Sequence, residues 1–240
     1  LNRSRVAQAL ERANAAQIAV EGERRTVLQN VSSAYAQVLS TRANVTAGTE
    51  AVRAAYGELF ALLRDSGYQH LLRIWNYIPR ITATNAQGME VYRDFSVGRS
   101  LAFEDAAYPP VHMPAATGIG CQGDQIGVFV LAGRRGGRNL ENPRQVSAYH
   151  YPDQYGPRSP SFARGTQVRD EQGRWLFVSG TAGIIGHQTV YRDQVMAQAH
   201  TAIDNIALVL AQAGASLQQV QAIKLYVRHE RDAAAMMSIG

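Results

Sequence analysis

From Tyr149 to Arg164 the chain reads Tyr-His-Tyr-Pro-Asp-Gln-Tyr-Gly-Pro-Arg-Ser-Pro-Ser-Phe-Ala-Arg, placing three tyrosines, two arginines and three prolines in one short stretch. Neither a helical nor a strand period is kept, and each proline removes a backbone donor, so the stretch reads as a stiff, irregular loop. Arginine can grip a carboxylate through two parallel N–H bonds, and tyrosine offers a flat apolar face with one hydroxyl. A loop carrying both suits a small, planar ligand bearing carboxylates; the competing reading is a surface loop of ordinary turn residues. His150 and His187 could move protons, but with no acidic partner evident for either, each is read as a structural hydrogen-bonder.

Composition narrows the partners. The 240 residues suffice for one large domain or two small ones, and 46% hydrophobic residues can fill a core. The net charge of +5 comes from bases spread along the chain, all but Lys224 arginines. No Lys/Arg block tracks a phosphate backbone, so a small anion is a better partner than nucleic acid. Cys121 is alone, which excludes a disulfide framework or a cysteine metal cluster within the chain, and no cofactor or metal is expected. A reducing cytoplasm is the simplest location. No run has the length of a membrane span, and Leu1-Asn-Arg-Ser-Arg lacks a signal-peptide core. The first residue is not Met, and the expectation is a piece of a longer protein.

The elements that must position the loop follow from periodicity. Residues 1–55 hold no proline and two glycines. Val20, Val27, Val31, Ala34, Val38, Val45 and Val52 keep a seven-residue frame, which predicts one long helix with a narrow seam. A helix from Tyr56 should end near Gly67, and His70–Pro79 reads as a strand stopped by its proline. Met89–Phe95 is too short to classify, and Ile126–Ala132 reads as a buried strand. Gly118-Ile-Gly-Cys-Gln-Gly123 has the spacing of a dinucleotide fingerprint, yet it follows proline-rich loop and runs into a strand; it is read as turn and loop glycines, as is Gly133–Arg138. Arg174–Gly183 reads as a strand entering a small-residue turn. A helix over Asp193–Ala213 should bury Val195, Ala199, Ile203, Ile206 and Leu210, and Ala222–Arg228 should return as a strand to complete a βαβ unit.

Two family resemblances attach to these stretches. Gln17-Ile-Ala-Val-Glu, Arg25-Thr-Val-Leu-Gln-Asn-Val and Ala34–Val45 resemble helical-tunnel segments of TolC-type outer-membrane efflux proteins, over about the first 54 residues. From Tyr56 to about Ala235 the chain resembles the chorismatase family of chorismate hydrolases and 3-hydroxybenzoate synthases. That match rests on His70–Pro79, Glu141-Asn-Pro-Arg-Gln-Val-Ser-Ala-Tyr, Tyr151–Arg164 and Leu176-Phe-Val-Ser-Gly-Thr-Ala-Gly-Ile-Ile-Gly-His.

The second resemblance implies an α+β chain in which the long N-terminal helix (1–55) precedes an incomplete pair of RidA-like halves, 56–172 and 173–240. It implies cofactor-free cleavage of the enolpyruvyl ether of chorismate, releasing pyruvate and either a hydroxybenzoate or a dihydroxycyclohexadiene carboxylate. Two substrate carboxylates call for two guanidinium clamps, with Arg144, Arg158, Arg164 and Arg228 as candidates. Tyr151 and Tyr155 would line the ring, and Ala182 and Gly183 would let the backbone approach it. The family's proton-donating glutamate lies beyond the strand that resembles Ala222–Arg228 and is expected past Gly240, where this sequence stops. Glu230 is too near that strand, so the catalytic residue stays unassigned and little or no turnover is expected. The alternatives are an efflux component or a non-catalytic RidA-like binding module. The product stays open, with Gly183 leaning to the aromatising type. So does oligomeric state, with self-association possible through 1–55 or the RidA-like sheet.

Overall fold

The computed structural model describes residues 37–42, 48–109, 112–171 and 173–238. Strand β1 spans Gln37–Arg42 and pairs antiparallel with β4 (Gly127–Gly133), Gln37 opposite Ala132 and Arg42 opposite Gly127. This corrects the long-helix reading over these six residues. Val38 and Leu39 are strand formers, and a ladder partner outweighs the modest helix propensity of their neighbours. The predicted helix before Gln37 lies outside the described residues.

Helix α1 (Thr49–Ser66) runs on through Tyr56 without a break. It buries Val52, Tyr56, Leu59, Phe60 and Leu63, spaced to form one face. Gly67, at φ 75°, caps it by donating to the carbonyls of Arg64 and Leu63, as expected of a left-handed glycine. Strand β2 (His70–Pro79) follows and lies between β4, antiparallel, and β3 (Ala115–Cys121), parallel. The order of this sheet is β1-β4-β2-β3. A parallel neighbour requires a long crossover, and α2 (Val91–Asp105) lies on it. Met89–Phe95, unclassifiable by pattern, therefore enters a helix.

The two helices cover one sheet face with an aromatic cluster of Tyr56, Phe60, Phe95, Phe103 and Tyr108. Inside it the Tyr56 hydroxyl meets Asn76 Oδ1 and accepts from Arg99 Nε at 3.1 Å, so this buried phenol is satisfied within the apolar cluster. Arg73 is also buried. Its guanidinium donates to the Ile74 carbonyl at 2.8 Å and to the Thr117 hydroxyl and lies over Trp75, and burial pushes its pKa down to about 9.

Gly98 sits where the helices cross. A methyl group there would collide with the Thr49 carbonyl oxygen and come within 2.9 Å of Val52 Cβ. Gly98→Ala should therefore force α1 and α2 apart despite the better helix propensity of alanine, destabilising the fold by about 1–3 kcal/mol, readable as a lower midpoint in urea unfolding. Gly118 and Gly120 lie inside β3 rather than in a turn, correcting the loop reading: Cβ atoms there would stand 3.0 Å from the Tyr92 ring and from Ile81, so glycine admits both neighbours. Gly123, at φ 100°, lies in the turn that follows.

A second sheet has the order β5-β6-β7, from Arg138–Leu140, Gly165–Arg169 and Arg174–Val178. A small hairpin follows, β8 (Ile184–Ile185) with β9 (Gln188–Thr189). Helix α3 (Val195–Gln212) then packs Val209 against Leu140, Leu176 and Val178, and Gly214 follows at φ 68°. The buried face differs from the predicted one: Ala199, Thr201, Asn205, Val209 and Leu210 are covered, while Ile203 and Ile206 are only half-buried. Ala222–Arg228 forms no strand, and Ile223 is 60% exposed. The βαβ unit is therefore not completed among the described residues. Strand-forming residues do not make a strand without a ladder, and among the described residues no strand offers them one.

Candidate active site

The Tyr149–Arg164 stretch is the irregular loop its composition predicts, tightened by 3₁₀ turns at Ala148–His150 and Asp153–Tyr155. Its far end is stitched into the fold from both sides. Ala163 N–H donates to the Pro114 carbonyl at 3.1 Å, Ser179 N–H to the Arg164 carbonyl at 2.9 Å, and Gly180 N–H to the Ala116 carbonyl at 3.0 Å. The Ser179 hydroxyl adds a bond to the Ala163 carbonyl and accepts from Ala116 N–H at 2.9 Å. Arg99, buried on α2, donates to the Ser161 carbonyl. A loop so anchored can hold a side chain in place before a ligand arrives, which lowers the ordering cost of binding.

Arg164 is the side chain it holds. It is 6% exposed, and its Nη2 donates to the Val146 carbonyl at 2.8 Å and to the Tyr151 hydroxyl at 2.9 Å. The guanidinium lies over the Tyr151 and Phe162 rings, 5.7 and 5.2 Å from their centroids, while Nε is buried with no partner. Tyr151 packs on Tyr155 at 5.4 Å, and the Tyr155 hydroxyl bonds His187 Nδ1 at 2.9 Å. Arg164, Tyr151, Tyr155 and His187 thus form one connected group, with a guanidinium, two phenols and an imidazole available to a planar anion. His187 serves there as the hydrogen-bonder expected of it; His150 is exposed and meets the Tyr149 ring. Among the described residues no group of three or more His, Cys, Asp or Glu could hold a metal ion.

The other predicted residues are placed differently. Arg158 is paired with Glu104 on α2 and reaches Ser100 Oγ at 3.4 Å, both partners being partly exposed. Arg158→Ala should leave ligand affinity within about threefold and cost stability less than about 1 kcal/mol, measured by titration and thermal unfolding. Arg144 turns to α3: Nε and Nη2 donate to Asn205 Oδ1 at 3.0 and 2.8 Å, and Nη2 also to the Thr201 carbonyl. Gly183 is closed by α3, since a Cβ there would stand 3.0 Å from Gln198 Cα, so its backbone packs against protein instead of a ring. Ala182 is exposed, and its carbonyl accepts from Asn205 Nδ2 at 3.1 Å. Arg228 is exposed in the segment without a ladder. Glu230, too near the 222–228 segment for the acid the resemblance implies, opens the 3₁₀ turn Glu230–Asp232 and is exposed. Gly240, past which the proton-donating glutamate is expected, lies outside the described residues.

Sequence patterns missed three residues here. Asn142 and Asn205 form a buried amide pair, Asn142 Nδ2 donating to the Asn205 carbonyl at 3.2 Å, that fixes the turn after β5 to α3. Asn205 stands in a helix that also carries Gln198, His200, Thr201 and Asp204, so no pattern singled it out. Glu141, read only as part of a motif, has its carboxylate buried beside Arg164; no spacing rule marks it.

Residues 11–132, just over half of the chain, match the family described as chorismatase FkbO/Hyg5-like, N-terminal. This chain belongs to the chorismatase family. Residues 161–240 match the endoribonuclease L-PSP family, consistent with a RidA-like second part. A 3-hydroxybenzoate synthase of Streptomyces hygroscopicus is 46% identical over 205 residues, 80% of this chain and 60% of the relative. A chorismatase of the same organism is 46% identical over 193 residues, 76% of this chain and 56% of that protein. The crystal structure of a chorismatase superposes with a TM-score of 0.80 at 41% identity, covering 85% of this chain and 65% of the other. The chain thus spans about 60% of the length of the curated relatives it matches. The chorismatase match begins within the segment that resembles a TolC tunnel helix, and β1 lies in that segment as a strand, so the efflux resemblance is not supported. No helix among the described residues is long and apolar enough to cross a membrane.

Proposed function

We propose that this chain binds chorismate and serves cleavage of its enolpyruvyl ether, releasing pyruvate, in the cytoplasm. The observation that carries the reading is Arg164, buried, preset by Val146 and Tyr151, left with an unpartnered Nε, and lying over the Tyr151 and Phe162 rings, with Tyr155 packed on Tyr151. A guanidinium in that state can form a charge-assisted pair with a ring carboxylate at little ordering cost, while Tyr151 and Tyr155 flank the ring. The names of the relatives, a 3-hydroxybenzoate synthase and chorismatases, agree with such a ligand. In this reading the RidA-like halves run 56–172 and 173–240.

The chemistry asks for an acid to protonate the enol methylene, leaving an oxocarbenium carbon that water or the substrate's own hydroxyl relieves. Neither route needs a cofactor. Incubation with chorismate, with pyruvate followed by reduction to lactate and the ring product separated by chromatography, tests the reading. Binding is expected with slow pyruvate release, both lost in Arg164→Ala. Chorismate bound yet recovered intact after long incubation would overturn cleavage and leave a binding module.

A further inference from the structure

Glu141 follows β5 directly, and its buried carboxylate is approached by the Ser147 hydroxyl and the Arg164 backbone N–H, although neither oxygen closes a well-formed hydrogen bond. The Arg164 Nε is buried and unpartnered as well. Two complementary groups, each short of a partner, thus stand in one electrostatic neighbourhood without closing a bond between them. The groups acting on the carboxyl come from the turn after β5 and from the loop: the Ser147 hydroxyl, the guanidinium and backbone N–H of Arg164, and His150. Burial pushes the Glu141 pKa up, and these neighbours pull the other way without cancelling it.

A ligand carboxylate that takes the free edge of Arg164 changes this balance twice. It neutralises the positive field that favours ionised Glu141, and it adds a negative charge nearby. We propose that Glu141 is a proton-linked positioning residue for Arg164, taking up one proton when a carboxylate ligand binds there. This rests on the reading of Arg164 as a carboxylate clamp. Once protonated, Glu141 no longer competes with the ligand for the guanidinium, and its O–H becomes a donor. The linkage also favours a carboxylate over a neutral ring of the same shape, which brings no charge to pair with Arg164 or to draw the proton.

The sign follows from linkage. A group whose affinity for protons is higher in the complex than in the free protein makes binding stronger as pH falls. Affinity should drop by up to tenfold per pH unit between the free and bound carboxyl pKa values, and level off on either side. Calorimetric titration with chorismate between pH 5.5 and 8, in buffers of different ionisation enthalpy, reads the protons taken up per ligand. Uptake approaching one in the wild type, abolished in Glu141→Gln and retained in His150→Asn, is expected. Equal uptake in the wild type and Glu141→Gln, with binding intact in both, would overturn the linkage alone. Should Glu141→Gln fail to fold, wild-type uptake near zero across the range would overturn it equally. No binding by the wild type would overturn the clamp itself and the linkage with it.

Discussion

Arg164→Ala should weaken chorismate binding at least about thirtyfold. Removing one member of a desolvated charge pair costs about 2–5 kcal/mol, and each 1.4 kcal/mol is roughly tenfold in affinity. Arg164→Lys should recover little of the loss. Lysine keeps the charge but not the planar fork that now lies over Tyr151 and Phe162 and reaches Val146 and the Tyr151 hydroxyl through a single nitrogen. Titration of both variants beside thermal unfolding separates the loss of the clamp from loosening of the loop. An Arg164→Lys protein with wild-type affinity would show that charge alone, not the guanidinium geometry, holds the ligand.

The largest stability effect is expected at Asn205, which is fully buried. Its Oδ1 accepts from Arg144 twice and from Asn142 Nδ2, while its Nδ2 donates to the carbonyls of Ala182 and Ile184 at 3.1 and 2.9 Å. Asn205→Ala removes all five of these bonds at once, although Arg144 keeps the Thr201 carbonyl and Asp204, and the Ile184 carbonyl keeps Gln145 Nε2. Losing this set of bonds at a fully buried position should cost about 2–4 kcal/mol, a fall in Tm on the order of 10 °C for a chain of this size. Asn205→Asp should fall between, because a carboxylate suits Arg144 but cannot donate to the two carbonyls. An Asn205→Ala protein that melts with the wild type would remove this amide from its place as the joint between α3, the turn after β5 and the turn after β7.

What was legible in the sequence was what local chemistry decides. Gly67 ends α1 because a left-handed cap favours glycine, and Pro79 ends β2, both as predicted. The Tyr149–Arg164 loop is irregular because its prolines and broken period leave it no alternative. Local pattern could not tell Arg158 from Arg164. Both lie in that loop, and what separates them is that Glu104, on a distant helix, meets the first, while the turn after β5 and the end of β7 enclose the second. Tertiary pairing also overrode propensity in both directions: Gln37–Arg42 became a strand because β4 offers a ladder, and Ala222–Arg228, equally rich in strand formers, stayed irregular without one. The buried, poorly satisfied state of Glu141 could not be read from sequence, since it depends on burial by residues that follow it in the chain.

The most direct test of the account is calorimetric titration of the wild-type chain with chorismate at low ionic strength, beside a neutral cyclohexadiene analogue of the same shape. The account predicts saturable binding of one chorismate per chain and none of the analogue, because the buried, half-satisfied Arg164 selects for a carboxylate. Equal binding of the two, or no binding of chorismate at millimolar concentration, would contradict it.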